Sequence, residues 1–145
     1  MSHIVRVSTR IKGLEALRSA AIRCGLVLVE GKTRFRWYRP ESDPSSACAH
    51  VLQVASNPQA WEIGVVHAGQ DDQGVDEYEL RYDPHMGGHG LMSHVSDPVS
   101  DHGRGCDRLL HYYAHETAVM ELQSQGFVVQ EQELEEGRLQ LVCTR

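Results

Sequence analysis

Seven residues between positions 85 and 115 carry the side chains of a transition-metal site. His85, His89, His94 and His102 fall in one stretch, Cys106 closes it, and His111 and His115 follow. The last two stand four apart in a segment that reads as helix, which puts both imidazoles on one face. Imidazole suits zinc, nickel and copper, and two helical histidines with one or two loop ligands can close a tetrahedron. The expected ligand set is His111 and His115 with His102, Cys106, His85 or His89. The cofactor is left open by the sequence, and on the metal reading it is zinc or another transition metal. The run His111-Tyr112-Tyr113-Ala114-His115-Glu116 is not the zinc-protease pattern. Tyr112 stands where that motif needs its general base, and Glu116 points about 100° away from His115 around the helix. The bland alternative is that histidines in a glycine-rich loop are simply solvated.

A second chemistry lies in the charge distribution. The net charge is -6, yet residues 1–39 hold nine Lys/Arg against two acids, Glu15 and Glu30. Residues 40–145 hold five Lys/Arg against 18 acids. The basic part includes Lys32–Arg39, in which Lys32, Arg34, Arg36 and Arg39 alternate with Phe35, Trp37 and Tyr38. Guanidinium groups interleaved with rings can hold phosphates and stack on bases, so nucleic-acid binding is one reading. The same pattern puts Phe35 and Trp37 in a core and leaves the four cations to an acidic protein surface. The acidic balance of the whole chain, with a pI near 5.8, opposes long-range attraction to nucleic acid. The protein-partner reading is the better fit.

Other site chemistry is not indicated. Cys24, Cys48, Cys106 and Cys143 are scattered and form no CxxC pair, so neither a zinc ribbon nor a dithiol redox motif is expected. Cys24 and Cys143 read as small buried hydrophobes. No GxSxG elbow occurs, and Gly25–Lys32 lacks the phosphate-loop spacing. The run from Glu131 to Glu136 is a solvated hairpin edge that discourages edge pairing.

The elements that must position these residues follow from periodicity. His3–Ile11 alternates and reads as a strand. In Leu14–Cys24, the residues Leu14, Leu17, Ala21 and Cys24 recur at helical spacing, and Gly25 caps the helix. Leu26–Val29 and Thr33–Tyr38 read as strands. Pro40–Ser46 is a loop, rich in proline and serine. Ala47–Ala55, Trp61–His67 and Glu77–Tyr82 then form an antiparallel meander. Residues 83–105 contain five of the 13 glycines and four of the nine histidines without visible period. They read as one long loop. Asp107–Gln125 is a second helix, with Leu110, Tyr113, Ala114, Thr117 and Ala118 as its expected inner face. Gly126 stops it, and Phe127–Glu133 pairs with Arg138–Cys143 across Glu135-Glu136-Gly137. The sum is one α+β domain spanning 1–145, with a mostly antiparallel sheet and two helices on one face. The opening MSHIVRVSTR lacks the apolar core of a signal peptide, and no window has the roughly 18 apolar residues of a membrane span, so a cytoplasmic protein is expected.

Several short runs also resemble a known family. They are MSHI and IKGLEAL near the start, EIGV at Glu62–Val65, EYEL at Glu77–Leu80, and YAHETAVMELQSQGF followed by an acidic hairpin and LQLV. In order and spacing they resemble the hypothetical chloroplast open-reading-frame 35 family of plastids, cyanobacteria and other bacteria. That resemblance implies a small α+β protein without an assigned catalytic residue, acting as an accessory to an AAA-type ATPase. It departs from the family at PHMGGHGLMSHVSDPVSDHGRGC, where a shorter, tryptophan-containing segment is the family's pattern. The expected function is that of a non-catalytic accessory or protein-binding domain, with a metal-binding protein or metalloenzyme as the alternative and nucleic-acid binding as the second.

Overall fold

Five strands build the main sheet in the order β1-β5-β4-β3-β2, every neighbouring pair antiparallel. They are β1 (Val5–Arg6), β2 (Leu26–Glu30), β3 (His50–Val54), β4 (Ile63–Gln70) and β5 (Asp76–Tyr82). The structure is a computed structural model that describes residues 3–135 and 138–145. Helix α1 (Leu14–Arg23) runs between β1 and β2. A short α2 (Met92–Val95) and the long α3 (Asp107–Ser124) follow β5, and a separate two-stranded sheet, β6 (Val128–Glu133) with β7 (Leu139–Thr144), ends the chain. The turn expected at Glu135-Glu136-Gly137 lies partly outside the described residues. Among the described residues, no helix is long and apolar enough to cross a membrane.

The pleat sorts the apolar residues onto two faces. Leu26, Leu28, Leu52, Ile63, Val65, Leu80 and Tyr82 point to the helical side, where they meet Leu17, Ala20 and Ala21 of α1 and Leu109 and Tyr113 of α3. This is the expected α+β layering, with the sheet burying one apolar face under amphipathic helices. A smaller cluster of Phe35, Trp37, Val51 and Trp61 covers the opposite face. The Phe35 ring lies against Gly64 of β4, and a Cβ built there would stand 2.4 Å from it. The glycine in EIGV is therefore required by close approach of an aromatic side chain.

Three expectations change. Thr33–Tyr38 is not a strand: only a bridge from Arg34 to Ala47 forms, and the segment folds over the sheet as a cover. Its alternation reflects one buried side, Phe35 and Trp37, rather than a place in a ladder. His3–Ile11 contributes only the two residues of β1 and an isolated bridge from Ile11 to Tyr78. Residues 83–105 are not one loop outside the fold, because Leu91, Met92 and Val95 are core residues. Periodicity missed them because the buried stretch is a single turn of helix, shorter than a helical repeat can reveal.

The inner face of α3 is also rotated from expectation. Leu109 and Tyr113 are buried and Leu110, Tyr112 and Met120 pack against the core, whereas Ala114, Thr117 and Ala118 are exposed. Glu116 turns inward onto α1, where Arg23 Nε donates to its carboxylate at 2.6 Å. A charged residue at an inner position hid the true 109-113-116-120 stripe. Cys24 is buried as expected, but Cys143 is exposed on the open hairpin.

Candidate functional site

The basic cover segment, residues 31–47, is held down by one buried carboxylate. Glu62 is 2 % exposed and immediately precedes β4. Lys32 Nζ donates to both of its oxygens, at 3.0 and 3.2 Å, the Arg36 backbone N–H donates at 2.7 Å, and Gln53 Nε2 donates at 2.7 Å. The Glu62 N–H returns a bond to the Arg36 carbonyl at 2.9 Å. A buried carboxylate is tolerated when it is paired and bonded in this way. Arg36 Nη1 donates to the carbonyls of Pro58 and Ala60, and Arg34 Nη1 donates to the carbonyl of Asp43. Three of the four expected contact cations, Lys32, Arg34 and Arg36, thus spend hydrogen bonds on holding the cover closed.

Arg39 differs. It is exposed and lines a cavity of about 440 Å³ together with His3, Arg6, Trp37, Asp43 and Arg81. Arg6 comes from β1 and Arg81 from β5, residues that face each other across the ladder. Arg39 arrives from the cover segment. Three guanidinium groups from separate parts of the sequence therefore surround one cavity, against one carboxylate. Hydrogen bonds from Ser45 hold the Asp43 carboxyl below the usual carboxylate range. Arg81 Nη2 donates to Glu79 at 3.3 Å, and its buried Nε has no partner among the described residues. Sequence reasoning found Arg39 but missed Arg6 and Arg81. Only the β1–β5 register joins them, and no local pattern encodes that pairing.

The ring stacking needed by the nucleic-acid reading is largely removed. Phe35 and Trp37 are buried, and the Trp37 indole N–H donates to Ser46 Oγ at 2.8 Å. Tyr38, 63 % exposed, is the ring of that run left at the surface.

The expected metal ligands are dispersed. His115 is turned inward, its side chain 7 % exposed and its Nε2 2.5 Å from Glu131 Oε1 on β6. His111, one turn earlier, is exposed and packs edge-on against Tyr112. His89 lies on the ring of Trp61 at 4.6 Å between centroids. His94 Nδ1 pairs with the Cys24 carbonyl at 3.0 Å, which anchors α2 to the end of α1. His85 follows Asp83, whose Oδ1 accepts its N–H, and His102 sits exposed at positive φ. Cys106 is buried, and burial pushes its thiol up to about 12, far from a ready thiolate. Among the described residues, no three His, Cys, Asp or Glu side chains are grouped to hold a metal. The tetrahedron expected from His111, His115, His102, Cys106, His85 and His89 is not assembled. The one-face spacing of His111 and His115 is present, but Glu131 takes the inner imidazole and the loop histidines pack elsewhere.

Two carboxylates organise what the histidines do not. Asp101 accepts from Ser96 Oγ at 2.8 Å and from the N–H groups of Gly103, Asp107 and Asp97 at 3.1, 3.1 and 3.3 Å. Desolvation works against its ionisation, but these bonds prevail and lower its pKa. Glu131 is lowered chiefly by Arg23 and then by His115. A depressed folded pKa contributes stability that is full above the unfolded value and is lost as pH falls through the folded one. Unfolded values are about 3.9 for Asp and 4.3 for Glu. The urea midpoint is therefore expected to show no loss from these two groups between about pH 7 and 5, and to fall below about pH 4 as they protonate. Asp101→Asn and Glu131→Gln each flatten that acid limb. A limb unchanged in both variants would remove the assignment.

Comparison with protein-family models, with curated proteins and with solved structures found no match. The fold and site by themselves define an α+β protein with a three-arginine cavity on the sheet side opposite its long helices.

Proposed function

We propose that this chain is a non-catalytic binding domain whose partner is another protein, engaged through an acidic segment. The observation that carries this reading is the convergence of Arg6, Arg39 and Arg81 on one cavity beside Trp37. Guanidinium groups bind carboxylates with two-pronged geometry. Electrostatic complementarity of this kind sets orientation and on-rate, which suits an accessory protein. The family resemblance points to an AAA-type ATPase as the protein partner to test.

The test uses a fluorescein-labelled oligoglutamate peptide and a single-stranded oligonucleotide of equal charge. Anisotropy is read for the wild type, Arg39→Glu and Arg34→Glu. The expected result is peptide binding that weakens with salt and drops at least tenfold in Arg39→Glu, about 1.4 kcal/mol. Arg34→Glu has a smaller effect, because Arg34 is tied to the Asp43 carbonyl. Equal peptide binding by wild type and Arg39→Glu, or clearly tighter binding of the oligonucleotide, would overturn the reading.

A further inference from the structure

A second cavity lies away from the basic one. It is an open cleft of about 630 Å³ between the start of α3 and the start of β7, within the range of small-molecule sites. Asp97 and Asp107 line it, and so do Arg108, His111, Tyr112 and Arg138. The lining thus carries two carboxylates, two guanidinium groups and one imidazole. The signs come from different places. Asp97 follows α2 and Asp107 opens α3. Arg108 and His111 continue the first turns of α3, and Arg138 reaches in from the hairpin.

Each carboxylate is oriented through one oxygen. Asp97 Oδ1 accepts the N–H of Val99 at 2.8 Å and of Ser100 at 3.4 Å, and Asp107 Oδ2 accepts Ser100 Oγ at 2.9 Å. Among the described residues, the other oxygen of each accepts no hydrogen bond. Arg108 is fixed by Nη1 donating to the Ser93 carbonyl at 3.1 Å. The ring of Tyr112 is held by Arg23, whose guanidinium carbon lies 5.6 Å from its centroid.

We propose that this cleft binds a small zwitterion of the free α-amino acid class. The ammonium group meets Asp97 and Asp107, the carboxylate meets Arg138 and Arg108, and Tyr112 borders the side chain. A lone anion leaves two carboxylates without a partner and a lone cation leaves two guanidinium groups, so a ligand carrying both signs suits the lining best. Because Arg138 belongs to the hairpin and the other groups to the body, the ligand also ties these two parts together. This site shares no residue with the three-arginine cavity and does not depend on its role.

The experiment is a titration of the full chain with the twenty free amino acids one by one, followed through the ring resonances of His111 and Tyr112. Acetate, inorganic phosphate and ethylamine serve as half-ligands. Arg138→Ala and Asp107→Asn are the variants, with circular dichroism confirming their fold and Arg39→Glu as a control outside the cleft. The expected result is saturable shifts with at least one amino acid, at least tenfold weaker in both variants, unchanged in the control, and at least tenfold weaker for every half-ligand. No saturable shift with any amino acid overturns the proposal. So does phosphate or acetate binding as tightly as the amino acid, which would make this a plain oxyanion site, or unchanged binding in Arg138→Ala and Asp107→Asn.

Discussion

Glu62→Ala is expected to cost about 3 kcal/mol of folding stability, the low end of the range for breaking a buried ion pair. The carboxylate accepts four hydrogen bonds from three residues, so its removal leaves the Gln53 amide and the Arg36 N–H without an acceptor as well as freeing Lys32. The Lys32 side chain is 29 % exposed and can turn to water, which keeps the loss from reaching the top of that range. Glu62→Gln retains the shape but offers one acceptor and sets an NH2 against other donors, for a loss of roughly 1–3 kcal/mol. A Lys32→Met background should reduce the effect of Glu62→Gln, since the two share one interaction. Urea unfolding monitored by tryptophan fluorescence reads all three. A loss under about 1 kcal/mol in Glu62→Ala would show that the cover segment is held by its apolar residues instead. The result also bears on function, because Arg39 hangs from that cover and loses its place beside Arg6 and Arg81 if the cover lifts.

Phe35→Ala should destabilise by about 3–5 kcal/mol, the usual cost of truncating a buried aromatic side chain. Phe35 has no exposed surface, and its ring stacks near Trp37 with centroids 6.4 Å apart. The three atoms that come nearest to a Cβ built at Gly64 all belong to Phe35, so truncating that ring empties the space directly over β4. The converse change tests the same contact from below. Gly64→Ala places a methyl group 2.4 Å from a ring that is buried and cannot swing aside, and overpacking of this kind costs about 1–3 kcal/mol. Combining Gly64→Ala with Phe35→Leu should recover part of the loss, because a smaller side chain makes room. Additive losses in the double variant would mean that the two residues do not share the strain assigned to them.

Both changes loosen the cover segment, whose residues 33–38 the sequence read as a strand. The α1 and α3 segments were legible to within about two residues, because their apolar positions recur at helical spacing and a glycine follows each. Gly25 and Gly126 both take positive φ, as such stops require. The meander of β3, β4 and β5 was legible from alternation and turn residues, and so was the terminal hairpin. The cover segment alternates as well, and there the period misled. One buried side is the signature of a strand, but Phe35 and Trp37 bury theirs against the face of a sheet rather than beside an edge.

The candidate sites show the same division more sharply. The basic character of the first 39 residues is a matter of composition, and so is the choice of Arg39 as a contact. Which cations stay available is decided by Glu62, 30 residues from Lys32, and by the pairing of Val5 and Arg6 with Tyr82 and Arg81. The histidines make the case in reverse. Their types and spacing admit a metal site, yet Glu131, Trp61 and the Cys24 carbonyl each hold one of them elsewhere. By itself the sequence determined the α+β class, the two long helices, the hairpin and the charge asymmetry, since each is a local or additive property of the chain. Only the tertiary structure decided which charges meet, which rings are covered and which histidine is buried. Those outcomes depend on contacts between residues far apart in sequence, whose partners no local period records.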